Sequence, residues 1–223
     1  MDLSKSYDFF KPEMLQGRVH IIGCGAIGST VAENLCRFGV TKMTLYDFDI
    51  VEPKNIANQM FTSEDIGKKK VRAVAEYLRK INPEIVDDLR VCENGYTDQR
   101  LSGYIFLCVD NIDLRRKIAE SCRGNPFVKG MFDFRMRLTD AQHYAADWSD
   151  EGMIQAFLNS MAFSHEEAKE ETPVSACNIT LSVCTTVRSV VAAGVSNFVN
   201  FVKGQGIKKM ILCDSFSFGL DAF

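Results

Sequence analysis

The sequence predicts an α/β fold in which a mostly parallel sheet is flanked by helices and followed by an antiparallel C-terminal extension. A β-branched run at residues 19–22 suits a buried parallel strand, and Gly23, Gly25 and Gly28 follow it at the G-x-G-x-x-G spacing. Short apolar runs then alternate with helical patterns as far as about residue 132. This alternation is typical of a Rossmann-like sheet built from strand–helix–strand units.

The first half of the chain is expected to alternate between strands and helices, except that two strands follow each other over residues 85–109. Strands are predicted over residues 19–22, 42–46, 85–91, 104–109 and 127–132, and helices over 29–38, 68–81 and 111–122. Gly39 ends the first helix and the pair Asn82-Pro83 stops the second. Residues 49–67 form a long polar connection, a length typical of a functional or mobile segment.

The pattern changes after about residue 133. Residues 134–146 are predicted to be extended, as an antiparallel strand, and 150–162 to be helical. Ser164 and Glu167 have the spacing of a capping box for a short helix, and 172–177 is expected to be a loop. A largely apolar helix over 179–203, buried in the core or at a dimer interface, and a last strand over 208–213 complete the prediction.

Composition indicates an ordinary globular protein. The chain has 223 residues, 46% of them apolar and 25% charged, with a net charge of −3, so no basic stripe indicates nucleic-acid binding. No apolar run reaches membrane-spanning length, and the first residues lack the apolar core of a signal peptide. The eight cysteines form no C-x-x-C pair and fall mostly in apolar segments, where Cys184 is expected in the core. We therefore expect a reducing, cytoplasmic location.

The glycine turn points to nucleotide binding. Gly23 permits a tight turn, Gly25 lets the backbone approach a phosphate, and Gly28 lets the helix pack on the strand. The helix N-terminus that follows offers free N–H groups to an anion. Asp47 ends the second strand, where an acidic side chain meets a ribose hydroxyl. The alternative is a glycine turn that only packs a helix against a sheet.

Four further features follow the glycine turn in order. They are Asp47 and Asp49 with Asn55, the run Gly67–Val71 at a helix start, Cys108–Asn111 with Arg115 at a strand end, and Cys177 before the long helix. Together they resemble the ThiF/MoeB family of ubiquitin-activating-enzyme-like adenylyltransferases, from about residue 18 to 203. The match is strongest over 18–80 and 104–116.

The resemblance implies a single ThiF-like domain over residues 1–223, with a Rossmann-like ATP-binding core at 18–132. Residues 133–223 would form a C-terminal elaboration with a crossover loop and the long helix. The family binds ATP and Mg²⁺ and adenylates the C-terminal glycine carboxylate of a ubiquitin-like β-grasp protein or peptide. A homodimer is expected. The implied nucleotide-binding residues are Gly23, Gly25, Ala26, Gly28, Asp47, Asp49, Asn55, Asn58, Gln59, Lys70, Asp110 and Asn111.

Individual roles follow from the resemblance, each beside an alternative. Asp47 would bind the ribose, or be a solvated strand end. Asn55 would contact phosphate or order its loop, or simply form an Asx turn. Lys70 would meet the phosphates as a compact cation, or belong to a solvated helix start. Asp110 would hold Mg²⁺, or cap the next helix. Arg115 is expected to support this loop or a dimer contact.

Cys177 matches by position the cysteine with which some family members accept the activated carboxylate as a thioester. A nearby helix N-terminus would favour its thiolate. We therefore count Cys177 with Lys70 and Asp110 as catalytic candidates. The alternative is a buried or incidental thiol, since other members of the family work without this cysteine.

The chain departs from the family pattern at two places. The family commonly has an arginine before the glutamine of the loop motif, whereas Asn58 precedes Gln59 here. The arginine-bearing N-terminal segment that reaches a partner's ATP is not recognisable. The paired C-x-x-C zinc motifs of larger members are missing as well.

Two other functions therefore stay open. A nucleotide-binding pseudoenzyme that scaffolds a complex would explain Asn58. An NAD-dependent oxidoreductase is compatible with the first forty residues of the fold, although Lys70 and the Asp110–Asn111 pair argue against it.

Overall fold

A computed structural model describes residues 1–170, 174–175 and 181–223 of the chain. Within these residues, the strands are β1 (Val19–Ile22), β2 (Met43–Tyr46), β3 (Arg90–Cys92), β4 (Gly103–Leu107), β5 (Val128–Met136), β6 (Asp140–Asp147), β7 (Met210–Asp214) and β8 (Gly219–Ala222). The helices are α1 (Ala26–Arg37), α2 (Lys70–Ile81), α3 (Ile112–Cys122), α4 (Glu151–Asn159), α5 (His165–Glu170) and α6 (Cys184–Val202).

All described strands belong to one sheet with the order β3-β2-β1-β4-β5-β6-β7-β8. The strands from β3 to β5 pair in parallel, and β5 to β8 pair antiparallel. The expected α/β class, with its mostly parallel core and antiparallel C-terminal part, is confirmed. The expected boundary after residue 132 falls inside β5, whose far end pairs only with β6.

Apolar runs make the central strands, as expected for strands covered on both faces. Every residue of β1, β2 and β4 is buried. One apolar cluster joins α1, α2 and α6 to one face of the sheet, and a second joins α3 and α4 to the other. Because Ile22 pairs with both Tyr46 and Leu107, the carboxyl ends of β1, β2 and β4 meet at one edge. This edge is where open α/β sheets bind ligands.

The expected strand over residues 85–91 is wrong for most of its length. Pro83–Asp87 forms a short 3₁₀ helix, with Pro83 at its start and the Asn82 side chain accepting from the Glu84 N–H (3.2 Å). Proline there fixes a helical φ, so the local turn overrides the apolar pattern. Only Arg90–Cys92 pairs with β2.

The long apolar helix begins later than expected, at Cys184 rather than at residue 179. Residues 181–183 are not helical and Val183, the N-cap, is extended (φ −119°, ψ 143°), whereas residues 179 and 180 lie outside the described part of the chain. Cys184 therefore lies in the first turn and is exposed, so its expected place in the core is wrong. The sequence prediction also missed β8, the outermost strand, whose four residues are all exposed.

A buried histidine fixes the junction between the sheet and α6. His143 Nδ1 lies 3.1 Å from the Asp133 carbonyl oxygen and must donate to it, so Nε2 is left to accept from Asn197 Nδ2 (3.2 Å). Asn197 is itself oriented by two hydrogen bonds with the Lys208 backbone. Burial lowers the pKa of His143 to about 4, because the charged ring would be desolvated.

We expect the unfolding free energy to fall between pH 6.5 and pH 4. In this range the unfolded chain takes up a proton at each buried histidine and the folded protein does not, so stability decreases as the pH falls. His20, whose pKa is also lowered to about 4, adds to the effect. Each histidine should cost about 2 kcal/mol at pH 5 relative to pH 7. Urea unfolding of wild type and His143→Gln at both pH values checks this: an equal pH dependence in the variant would contradict it.

Candidate functional site

The glycine turn between β1 and α1 leaves an open space in front of the helix. Gly23 has φ +94°, and a Cβ there would lie 2.7 Å from the Cys108 carbonyl oxygen. A Cβ on Gly28 would lie 1.8 Å from the Gly23 carbonyl oxygen. A Cβ on Gly25 would meet nothing within 4 Å. The turn is thus closed against β4 and open at Gly25, directly before Ala26, the first residue of α1.

Asp47 is fixed against the glycine turn. Its Oδ2 accepts from the Cys24 N–H (2.7 Å) and its Oδ1 from the Asp49 N–H (2.8 Å). Burial, and then the negative charge of Asp47, raise the pKa of the Cys24 thiol, and the positive charge of Lys70 opposes the rise. Asp47, Cys24 and Lys70 are therefore close enough to interact electrostatically.

The three lysines at the start of α2 are in different environments. Lys70 is 8% exposed, and its Nζ lies 2.8 Å from Asp49 Oδ2. Lys69 donates to the Phe48 carbonyl oxygen, and Lys68 forms ion pairs with two acidic side chains. Only Lys70 is a buried cation among the three, which distinguishes it from a solvated helix start.

The loop carrying Asn55 lies against α1. Asn55 is buried and its Oδ1 accepts from the Glu52 N–H (2.9 Å), so its side chain closes a local turn. A loop N–H donates to Ser29 Oγ of α1 (3.4 Å). Asn58 is half-buried, and Gln59 Oε1 is buried without a hydrogen-bond partner in the described part of the chain. The loop thus places amide side chains near the start of α1.

Asp110 follows β4 and is exposed. The cap of α3 is Asn111, whose Oδ1 accepts from the Leu114 N–H (2.9 Å). Asp110 is therefore not the helix cap, and its carboxylate is available for another partner. Arg115 donates from Nε to the Val109 carbonyl oxygen (2.7 Å), so it supports this loop as the sequence led us to expect.

A buried ion-pair cluster at the end of β5 was missed by the sequence prediction. Asp133 is fully buried, with Oδ1 2.6 Å from Arg115 Nη1 and Oδ2 2.6 Å from Arg135 Nε. The signal was available, since an acidic and a basic residue interrupt the apolar run of this strand. A buried charge of this kind requires a partner.

We expect Asp133→Asn to lower the unfolding free energy by about 3 kcal/mol, because two guanidinium groups lose the carboxylate that compensates them. Asp98→Asn is the matched control, since Asp98 is exposed and its pair with Lys117 should contribute less than about 1 kcal/mol. Urea unfolding at pH 7 measures both. Equal losses in the two variants would show that the buried cluster adds nothing.

Cys177 lies outside the described residues. No helix in the described ranges is both long and apolar enough to cross a bilayer. No three His, Cys, Asp or Glu side chains in the same ranges are grouped as a metal site.

The sequence is similar to that of a known protein family and to curated relatives. Residues 10–217 match the ThiF family. Ubiquitin-like modifier-activating enzyme 5 from Drosophila mojavensis is 30% identical over 141 residues, covering 56% of this chain and 34% of that protein. The Dictyostelium discoideum protein of the same name is 33% identical over 120 residues, covering 47% of this chain and 32% of its own length. The chain spans about a third of the length of the curated relatives it matches.

Solved structures share the fold at low sequence identity. E. coli MccB with ATP superimposes with a TM-score of 0.74 at 16% identity, covering 95% of this chain and 65% of that one. PaaA superimposes with a TM-score of 0.68 at 17% identity, covering all of this chain and 68% of the other. With the family match spanning nearly all of the sequence, the chain belongs to the ThiF family.

Proposed function

We propose that this protein is an ATP-dependent adenylyltransferase that activates the C-terminal carboxylate of a ubiquitin-like β-grasp protein or of a peptide. One observation carries the proposal: the open turn at Gly25 has a buried cation, Lys70, on its β2 side and a free carboxylate, Asp110, on its β4 side. Phosphates need cations and N–H groups, and a metal bound to phosphate needs one or two carboxylates.

The nucleotide would lie across the carboxyl ends of β1, β2 and β4. Asp47 would bind the ribose, and the N-terminus of α1 would face a phosphate across Gly25. Lys70 would exchange its contact with Asp49 for a phosphate oxygen. Asn55, Asn58, Gln59 and Asn111 would line the phosphates. Mg²⁺, held by Asp110 and phosphate oxygens, would neutralise charge that develops on the leaving pyrophosphate.

The proposed reaction is attack of a carboxylate oxygen on the α-phosphorus of ATP. The bond from the α-phosphorus to the bridging oxygen breaks, pyrophosphate leaves, and an acyl–AMP mixed anhydride forms. The residues of this chain would act by positioning the two substrates and by compensating negative charge. The relatives named ubiquitin-like modifier-activating enzyme 5, and the MccB structures with ATP and with MccA, support this substrate class.

Transfer of the acyl group to Cys177 as a thioester, with release of AMP, is a further part of the proposal. We also propose a cytoplasmic homodimer. Incubation with ATP, Mg²⁺ and a Gly-Gly-ending β-grasp protein should give a conjugate that excess thiol cleaves and that Cys177→Ala prevents. Full AMP–carboxylate formation without any conjugate would restrict the function to adenylation.

Thermal unfolding with ATP and Mg²⁺, with NAD and with no ligand is the first test. A ligand at about 100 times its dissociation constant adds about 2.7 kcal/mol to stability. Stabilisation by ATP and Mg²⁺, followed by pyrophosphate exchange that depends on the carboxylate partner, is the expected result. Binding without exchange would favour the pseudoenzyme that Asn58 suggests, and stabilisation by NAD alone would overturn the proposal.

Lys70→Met should weaken ATP binding about tenfold or more, because a charge-assisted hydrogen bond to phosphate is lost. Lys69→Met is the control, since Lys69 contacts only a backbone oxygen at the surface and should bind ATP as wild type does. Calorimetric titration with ATP and Mg²⁺ measures both, after unfolding without ligand confirms that each variant is folded. Equal ATP affinities of the Lys70→Met and Lys69→Met variants would indicate that Lys70 has only a structural role.

A further inference from the structure

Asp133 joins two arginines that face different parts of the molecule. Each oxygen of its buried carboxylate is 2.6 Å from one guanidinium, Oδ1 from Arg115 and Oδ2 from Arg135. Neither arginine can shift without straining or breaking a short, charge-assisted hydrogen bond to a fully buried carboxylate. The three side chains therefore form one connected unit.

On one side, this unit fixes the strand end that carries Asp110. Arg115 donates from Nε (2.7 Å) and from Nη2 to the carbonyl oxygen of Val109, the residue directly before Asp110. Its Nη1 also donates to the Phe134 carbonyl oxygen (2.6 Å). Because the guanidinium is planar and rigid, the position of Asp133 sets the position of Val109.

On the other side, the unit reaches the end of α4. Arg135 donates from Nη1 to the Ser160 carbonyl oxygen (2.6 Å) and from Nη2 to Ser160 Oγ (2.8 Å). Its guanidinium lies over the Tyr144 ring, 4.2 Å from the centroid, and 5.7 Å from that of Phe163. All three of its nitrogens thus have partners, and the group is held in one orientation.

We propose that Arg135 is a positioning residue for Asp110: through Asp133 and Arg115 it sets the strand end that would hold Mg²⁺, and it couples that strand end to residues 160–163. This inference rests on the proposed function of Asp110. Two cations share one buried carboxylate, so without Arg135 the pair Arg115–Asp133 is still charge-balanced and the protein is expected to fold. Without Arg135, however, Oδ2 loses its partner and only the contact with Arg115 still orients the carboxylate.

Arg135→Gln tests the coupling, with Arg116→Gln as matched control. Arg116 binds the same segment, donating to the Met161 carbonyl oxygen (3.0 Å) and to that of Phe163, and has no contact with Asp133. The Mg²⁺ concentration that half-saturates ATP-dependent stabilisation should rise about tenfold in Arg135→Gln, as for residues that orient a metal ligand. It should be unchanged in Arg116→Gln, and ATP binding in EDTA should be unchanged in both. A half-saturation point in Arg135→Gln equal to that of wild type would overturn the proposal.

Hydrogen exchange without any ligand separates this inference from the proposed function. The Cys108 N–H is bonded to the Ile22 carbonyl oxygen and the Leu114 N–H to Asn111, so both amides report on the segment around Asp110. Faster exchange over residues 108–114 in Arg135→Gln, with wild-type exchange in Arg116→Gln, would support the coupling even if Mg²⁺ had no effect on the wild type. In that case only the metal role of Asp110 would fail. Equal exchange in all three proteins would overturn the coupling itself.

Discussion

Asp110→Asn is expected to slow pyrophosphate exchange about 10²–10³-fold, because the proposed Mg²⁺ site loses the carboxylate that holds the metal. Asp110 is exposed and Asn111 caps α3, so the substitution should not change the unfolding free energy. The loss should therefore appear in catalysis and in Mg²⁺ dependence. Exchange of labelled pyrophosphate into ATP, with a carboxylate partner present, measures it.

Asp113→Asn is the control for this experiment. Asp113 lies in the first turn of α3, is half exposed, and has only a 3.4 Å ion pair with Arg116. The Asp113→Asn substitution removes one negative charge three residues from Asp110. It should keep the exchange rate within about twofold of wild type. If both variants exchanged at the same reduced rate, the loss would come from net charge near the site and Asp110 would have no specific role.

Gly28→Ala is expected to lower the unfolding free energy by about 4 kcal/mol or more, which is exceptional for one methyl group. The added Cβ would lie 1.8 Å from the Gly23 carbonyl oxygen and 3.2 Å from Cys108 Cβ. The nearest atom belongs to the backbone, so α1 must move away from β1 and β4. Urea unfolding with circular dichroism detection measures the loss. A stability equal to that of wild type would mean that the close approach of α1 is not required.

Gly25→Ala separates packing from binding at the same turn. A Cβ there meets nothing within 4 Å, and φ is −76°, so the unfolding free energy should change by less than about 1 kcal/mol. The methyl group instead occupies the space left for a phosphate, so stabilisation by ATP should be lost. A variant that is stabilised by ATP as strongly as wild type would place the phosphates elsewhere.

Much of the parallel half of the fold could be predicted because its signals are local. The run at Val19–Ile22, the three glycines and the residues that end α1 and α2 each act within a few positions. The sequence predictions failed where a neighbouring turn or cap determines the local backbone structure. Pro83 starts a 3₁₀ helix in an apolar stretch that was expected to be a strand, and α6 begins only after the extended Val183. The spacing of apolar residues alone indicates neither of these two backbone features.

The sequence analysis proposed the candidate site as a set of residues, without the contacts between them. The resemblance to the family pointed to Lys70 and Asp110, and the position of Asp47 at a strand end agreed with its implied role, but the bond from Asp47 to the Cys24 N–H joins residues 23 positions apart. Asp133 gave a weaker signal, because the meaning of a charge in a strand depends on which strands become neighbours. The order of the strands in the sheet determines which strands are neighbours, and no short sequence pattern indicates this order.

The sheet order also has a consequence during synthesis. β1 lies inside the sheet between β2 and β4, and its Val19 pairs with Tyr104 of β4. At about 5–20 residues per second, a ribosome makes the intervening chain in roughly 4–17 s. Until then one side of β1 is an unpaired edge, and Gly23 has no Cys108 backbone to close against. A nascent chain that ends before β4 should therefore be prone to aggregation and unable to form the glycine turn in its final shape.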